Sequence, residues 1–266
     1  MKLCARGLIV FGLLSGFLCV YDLALGQKAL ALETSEEIDT NRPSFMFSPL
    51  VVPRGSVQLE SGTLYSGLRH GQWAYDIPET QVRVGLLKKT ELQLFVPTFF
   101  LQRGVTSNQY RMSNLAEIGL KQEIPAGKKL TLAVIASVSA PTGSKQLAGG
   151  GGTIPVIRLP YSYALNDKWS FCGMQSIAVL NNGRDTLYQP DVVLSRTIGK
   201  EVGVFVEYAG NFTRHHNDVN IIHFGGTYNL SHCQQVDGHF GFGLNETAPS
   251  AFVGAGYSVR FDQLAW

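Results

Sequence analysis

Apolar and polar residues alternate one by one over long stretches of this chain, and this period of two is the feature that most limits its fold. A clear example is TQVRVGL at residues 80–86, where valine and leucine alternate with glutamine, arginine and glycine. Successive side chains of a β-strand point to opposite faces, so each such run predicts a strand with one apolar and one polar face. The runs predict an all-β chain of about twelve strands, an even number as in single-chain bacterial barrels.

Short and long connections alternate between these runs along the chain. The short ones are predicted at residues 87–90, 125–129, 166–168, 199–200 and 231–234, and the longer ones at 70–79, 101–113, 141–153, 180–189 and 211–217. An up-and-down antiparallel transmembrane β-barrel produces this order, because its periplasmic turns are tight and its extracellular loops are long. A secreted β-sandwich also alternates, but its Greek-key crossings need not follow this order. We therefore predict a barrel with both chain ends on the periplasmic side, and the sandwich is the alternative.

The N-terminus has the pattern of a signal peptide. Lys2 and Arg6 precede an apolar stretch without charge at residues 7–20. Small residues then precede Gln27, as at a cleavage site. A single transmembrane helix is the alternative, but the stretch is shorter than the roughly 20 residues that a span needs. We therefore predict three parts, which are a signal peptide (1–26), a periplasmic N-terminal segment (27–55) and an outer-membrane barrel (56–266). Such a protein is exported to the bacterial outer membrane, contacts its lipid and needs the barrel-assembly machinery during insertion.

Two of the four cysteines, Cys4 and Cys19, leave with the predicted signal peptide, so the mature chain holds Cys172 and Cys233. A disulfide between these two is one interpretation in an oxidising compartment. Two free thiols are an equal alternative, because spacing in the sequence cannot test the distance that a disulfide requires.

A set of charged and amide side chains lies on the polar face of the predicted strands. A charge on the lipid face near the bilayer midplane would cost roughly 2–4 kcal/mol for Arg or Lys, so these residues are predicted to line the lumen. They are Glu60, Arg83, Gln93, Glu117, Lys121, Arg158, Glu207 and Arg260. Two interpretations stay open, which are an ion-pair network that closes the barrel and a lined pore. Twelve strands lie between the filled eight-stranded barrels and the water-filled sixteen-stranded ones, so size favours neither.

The sequence does not favour enzymatic or metal chemistry. Imidazole binds metals often, and the candidates are His215, His216, His223, His232 and His239. A barrel separates the first two, in an outer loop, from His232, in an inner turn, by about one strand length. The chain has no Gly-x-Ser-x-Gly elbow of a serine hydrolase. A net charge of +2 gives no concentrated positive field for nucleic acid. We expect no enzyme activity, no metal, no cofactor and no nucleic-acid partner.

Several motifs resemble those of one known family. They are DTNRPS at 39–44, SPLVVPRG at 48–55, QLESG at 58–62, RVGL at 83–86, APTGS at 140–144 and GFGLN at 241–245. Together they resemble outer-membrane transporters linked to the meta-pathway of phenol degradation, over roughly residues 39–261. The resemblance implies a barrel that passes small aromatic or apolar solutes, and it supplies no catalytic residues. The chain departs from the usual barrel end, because residues 262–266 follow Phe261, so either Phe261 or Trp266 is the terminal aromatic residue.

Overall fold

The computed structural model describes residues 37–104, 108–112, 115–141, 143–144, 152–214 and 217–264. The predictions for the signal peptide, for His215 and His216, and for Trp266 lie outside the described residues. Nearly all secondary structure in the described part is β-strand, with two short 3-10 turns at Arg69–Gly71 and Asn181–Gly183. None of the helical segments among the described residues is long and apolar enough to cross a membrane.

Antiparallel strands form one sheet in the described part of the chain, and most of them pair with their neighbours in sequence. The alternating runs of the sequence coincide with these strands because each strand has one polar and one apolar face. The strands are β1 (Val57–Gly67), β2 (Trp73–Leu87), β3 (Thr90–Phe95), β4 (Phe99–Arg103), β5 (Asn108–Met112), β6 (Leu115–Pro125), β7 (Leu130–Ala140), β8 (Ile154–Ala164), β9 (Trp169–Leu180), β10 (Asp185–Ile198), β11 (Val202–Thr213), β12 (Val219–Ser231), β13 (Gln234–Gly243) and β14 (Ala251–Phe261).

These strands combine into twelve barrel strands. β3 and β4 pair with successive parts of β2, and Pro97 lies between them, where its missing N–H interrupts the ladder. β5 and β6 pair with β4 and β3 in the same way, so they also follow one another along a single barrel strand. β1 pairs with both β2 and β14, which closes the sheet. The predicted up-and-down transmembrane barrel is confirmed, and the β-sandwich alternative is excluded because the sheet closes on itself.

The tight connections match the prediction, whereas three of the predicted long loops are wrong. Residues 88–89, 126–129, 165–168, 199–201 and 232–233 make the tight connections. The sequence predicts loops over 70–79, 101–113 and 180–189, but most of these residues belong to β2, β4, β5, β9 and β10. A β-bulge shifts the pairing of β1 with β2 between Gly62 and Leu64. The bulge and Pro78 break the period of two in the first half of β2, so residues 73–79 show no clear alternation and the sequence predicts only the second half of the strand.

The two faces of the barrel differ in polarity as predicted. The outer face exposes apolar side chains such as Leu120, which is 51% exposed, and Val253, which is 55% exposed. The inner face buries Glu60, Arg83 and Glu207 completely. An apolar outer band around a polar interior is the arrangement of a transmembrane barrel.

The structure bears on two alternatives left by the sequence, which are the state of the cysteines and the terminal aromatic residue. Cys172 and Cys233 are both buried and form no disulfide, so the interpretation as two thiols holds. β14 ends at Phe261, which pairs with Val57 at the start of β1. The last strand therefore carries its terminal aromatic residue at Phe261.

We expect the substitution Leu120→Arg to destabilise the barrel in lipid by roughly 2–4 kcal/mol, because it places a charge on the lipid face near the middle of β6. The free energy of unfolding in urea, followed by tryptophan fluorescence in lipid vesicles, measures this loss.

The matched control is Leu165→Arg, since Leu165 is 46% exposed but lies in the tight connection after β8. Near the membrane surface the cost falls to about 0–1 kcal/mol. Equal losses at the two positions would contradict a lipid-facing outer band.

A polar lumen crossed by the N-terminal segment

All eight residues predicted to line the lumen lie on the inner face of the barrel. Fully buried are Glu60, Arg83, Gln93, Lys121 and Glu207, while Arg260 is 4% exposed and the side chains of Arg158 and Glu117 are 12% and 19% exposed. Their role as pore-lining groups stays a prediction. The N-terminal part of the chain covers most of these side chains.

Residues 37–55, here called the N-terminal segment, lie against the inner face of the barrel. Hydrogen bonds join this segment to side chains of β1, β2, β3, β6, β11 and β13. Residues 27–55 are predicted to form a periplasmic segment, and that division of the chain stays a prediction. The contacts of residues 37–55 with the lumen are an addition that sequence patterns did not indicate.

Glu60 on β1 binds the segment through its backbone. Its Oε2 accepts hydrogen bonds from the backbone N–H of Asn41 at 2.9 Å and of Arg42 at 3.1 Å. The Asn41 side chain donates to Gln81 at 2.8 Å and accepts from the N–H of Ser48 at 3.0 Å. These bonds hold the first turn of the segment against β1 and β2.

Glu207 on β11 holds the middle of the segment. Its Oε1 accepts from the Ser44 hydroxyl at 2.7 Å and from the Met46 N–H at 3.0 Å, and its Oε2 accepts from the Phe45 N–H at 3.1 Å. Hydrogen bonds to an ionised group are stronger than neutral ones. Glu207 therefore acts as an anchor for residues 44–46.

A buried ion cluster holds the end of the segment near the tight connections. Glu91 on β3 accepts the Val52 N–H at 2.7 Å and pairs with Arg83 at 2.9 Å and Lys121 at 3.0 Å. Arg83 also pairs with Glu60 at 3.0 Å, and both basic side chains donate to the carbonyl of Leu50, at 2.9 and 3.0 Å. The cluster neutralises its charges internally, as buried ions require.

Arg42 is the basic group that the segment itself contributes. It donates to Glu79 on β2 at 2.9 Å and to Asp237 on β13 at 3.4 Å. Burial lowers the pKa of the Arg42 guanidinium, but the two carboxylates outweigh burial and raise that pKa above its ordinary value. A Cβ added at Gly62 would lie 2.2 Å from Arg42 Cζ, and one at Gly256 would lie 2.3 Å from Arg42 Nε. These two glycines form a notch for the guanidinium.

Apolar side chains of the segment fill gaps between the polar anchors. Phe45 packs on His223 with ring centroids 4.6 Å apart, and Met46 joins a small core with residues of β9 and β10. Phe47 stacks on Phe95 at 5.6 Å, and the Arg158 guanidinium lies 5.0 Å from the Phe47 centroid. The segment is thus fixed by packing as well as by hydrogen bonds.

Hydrogen bonds connect Glu207 to His223 and His223 to His239, a contact that the sequence did not predict. His223 Nδ1 lies 2.6 Å from Glu207 Oε2, and His223 Nε2 lies 2.9 Å from His239 Nδ1. With Glu207 ionised, His223 donates to it from Nδ1 and accepts from His239 at Nε2. No group of metal-ligating side chains is found among the described residues.

Two cavities flank the N-terminal segment. The loop-side cavity, of about 490 Å³, is lined by residues near the long connections, such as Asp76 and Ile154. The turn-side cavity, of about 400 Å³, is lined by residues near the tight connections, such as Thr131 and Thr227. Residues 41–44 line both cavities, so the segment lies between them.

Known proteins with similar folds are outer membrane channels and porins. An outer membrane channel from Pseudomonas putida F1 is similar at a TM-score of 0.58 and 12% identity, over 85% of this chain and 100% of that chain. The KdgM porin is similar at a TM-score of 0.54 and 9% identity, over 77% of this chain and 99% of that chain. The NanC porin is similar at a TM-score of 0.52 and 8% identity, with the same coverage. At these identities the likeness bears on the fold alone.

Similarity in sequence identifies the family. No curated protein sequence matches the chain. A family model described as "Putative MetA-pathway of phenol degradation" matches residues 40–261, from the N-terminal segment to the last strand. The resemblance predicted from the motifs is confirmed. The chain therefore belongs to this phenol-degradation-linked family.

Proposed function

We propose that this protein is an outer-membrane channel that passes small apolar or aromatic solutes through a narrow lumen. The observation that carries the proposal is the pair of cavities on the two sides of the N-terminal segment. The fold, which it shares with channels and porins, agrees with this function. Export by the predicted signal peptide and insertion by the barrel-assembly machinery belong to the same proposal, and no catalytic step is part of it.

The lining of the loop-side cavity supports apolar and aromatic solutes. Phe45, Phe47 and Phe95 lie on its wall together with Val96 and Ile154. A cavity of this size holds a small molecule, and binding sites for such molecules combine apolar walls with a few polar groups. Charged groups at the same wall fix the orientation of a solute by hydrogen bonds.

Passage between the cavities requires the N-terminal segment to shift, because residues 41–44 separate them. Discrete hydrogen bonds to the carboxylates of Glu60, Glu91 and Glu207 hold the segment, and Gly55 at its end also pairs with the backbone of Gly85 in β2. Each charge-assisted bond contributes about 1.5–3 kcal/mol. Glu60 and Glu207, which are among the residues predicted to line the pore, are therefore, in this proposal, groups that hold the segment in the lumen.

A closed barrel without transport is the second candidate, and one observation favours it. Arg83, Lys121, Glu60 and Glu91 are fully buried and paired with one another, which is what a permanently filled interior would show. In this alternative the protein would act as a scaffold in the outer membrane, and the segment would never leave its site.

Planar-bilayer recordings distinguish the two candidates. We expect the purified, folded protein to produce stepwise currents, and liposomes that contain it to take up a small neutral aromatic solute. A folded barrel that neither conducts nor passes the solute would favour the closed scaffold and refute transport.

The substitution Glu207→Gln should raise the single-channel conductance. Glutamine lacks the charge and one of the acceptor oxygens that hold residues 44–46, so the segment should leave its site more often. Recordings of the variant beside the wild type measure the change.

Asp167→Asn is the matched control, since Asp167 is exposed in the tight connection after β8 and touches no part of the segment. Its conductance should equal that of the wild type. If Glu207→Gln also leaves the conductance unchanged, the segment does not limit the current.

A further inference from the structure

The charges that face the loop-side cavity are unequal in sign. Carboxylates outnumber basic groups among the described residues of its wall. The carboxylates are Glu60, Asp76, Glu79 and Glu117, and the basic groups are Arg42 and Arg158. Glu60 is already paired with Arg83 at 3.0 Å, so the excess is carried by the other three carboxylates. This excess contrasts with the whole chain, whose net charge is +2. The negative charge is thus concentrated at the wall of this cavity.

Both basic groups at this wall are already engaged by carboxylates. Arg42 pairs with Glu79 at 2.9 Å and with Asp237 at 3.4 Å. Arg158 donates to Glu117 through both of its terminal nitrogens, with Nη2 at 3.2 Å from Oε2. Neither guanidinium is therefore left to attract an anion that enters the cavity.

Two inward carboxylates, in contrast, have no basic partner. Asp76 lines the cavity and makes no salt bridge with any described residue. Thr98 and the backbone of Ile77 hydrogen-bond to its carboxylate, but its Oδ1 has no partner among the described residues. Asp191 on β10 is a second, independent case. It is 3% exposed and makes no salt bridge with any residue in the described ranges, although the charge of Arg158 acts on it. It lies behind the walls of the two cavities and adds to the negative charge of the interior. A buried carboxylate without a partner is stable only with a proton or a cation beside it.

The aromatic side chains at the wall of the loop-side cavity also favour cations. The rings of Phe47 and Phe95 already have the Arg158 guanidinium above them, at 5.0 and 5.9 Å from their centroids. The face of an aromatic ring attracts positive charge through its quadrupole. A second cation in the cavity therefore meets carboxylates and ring faces.

The turn-side cavity lacks this excess. The charged residues at its wall are Asp39, Arg42, Arg196, Lys200 and Glu201. Basic and acidic groups are therefore close to balance there. Selection by charge should occur in the loop-side cavity.

We propose that the lumen passes cations and neutral solutes in preference to anions, and that Asp76 and Glu79 set this preference. The proposal rests on the proposed channel function. Charged side chains around a narrow passage select ions by sign, and low-dielectric walls strengthen their field. Small aromatic carboxylates are then poor substrates, whereas aromatic amines and neutral aromatic molecules are accepted.

The test is the reversal potential in planar bilayers with a KCl gradient. We expect the wild type to give a potential of the sign that shows several-fold preference for potassium over chloride. Asp76→Asn should move this potential towards zero, and the double variant D76N/E79Q should move it further. Glu246→Gln is the control, because Glu246 is exposed in the connection between β13 and β14, outside the cavity.

A wild-type current without preference, or with preference for chloride, would overturn the selectivity while leaving the channel function intact. An unchanged potential in D76N/E79Q would overturn the roles of these two residues. Complete absence of current would refute the channel function itself.

A second measurement needs no variant. Liposomes with the wild-type protein should take up benzylammonium several-fold faster than benzoate, two probes of matched size. Equal uptake of both would contradict the proposal even if Asp76→Asn did not fold.

Discussion

Carboxylates that point into the lumen hold the backbone N–H groups of the N-terminal segment, and the interior of the barrel depends on this interaction. Glu60, Glu91 and Glu207 come from three different strands, and each is fully buried. A buried carboxylate without hydrogen bonds would be costly, and so would a buried N–H without an acceptor. The wall and the segment therefore satisfy one another. Because the bonds involve the backbone, they specify the path of the segment more than its side chains.

Much of the barrel could be predicted from the sequence because it depends on local pattern. A period of two assigns every residue of a strand to one face, so the inward positions of Arg83, Lys121 and Glu207 follow from their neighbours alone. Tight connections could be predicted for the same reason, since each lies between two clear runs. The prediction failed in the first half of β2, where a bulge and Pro78 break the period and no local pattern compensates.

The interior could not be predicted, because it depends on contacts between distant parts of the chain. Arg42 and Asp237 are separated by 195 positions, and residues 37–55 have no alternation that would place them. Glu207, His223 and His239 each lie on a polar face. Their contact requires the register in which Glu207 faces His223 directly across β11 and β12. Register of this kind is set by the closed sheet, not by any one strand.

The notch for Arg42 has a consequence for the order of assembly. Gly62 and Gly256 are direct partners across β1 and β14, the first and last strands of the barrel. The space between them exists only after the two ends of the sheet have met. The N-terminal segment precedes every strand in the chain, yet its arginine can be seated only after the barrel has closed. A bound N-terminal segment therefore indicates that the barrel has closed, although this segment precedes all of the described strands in the chain.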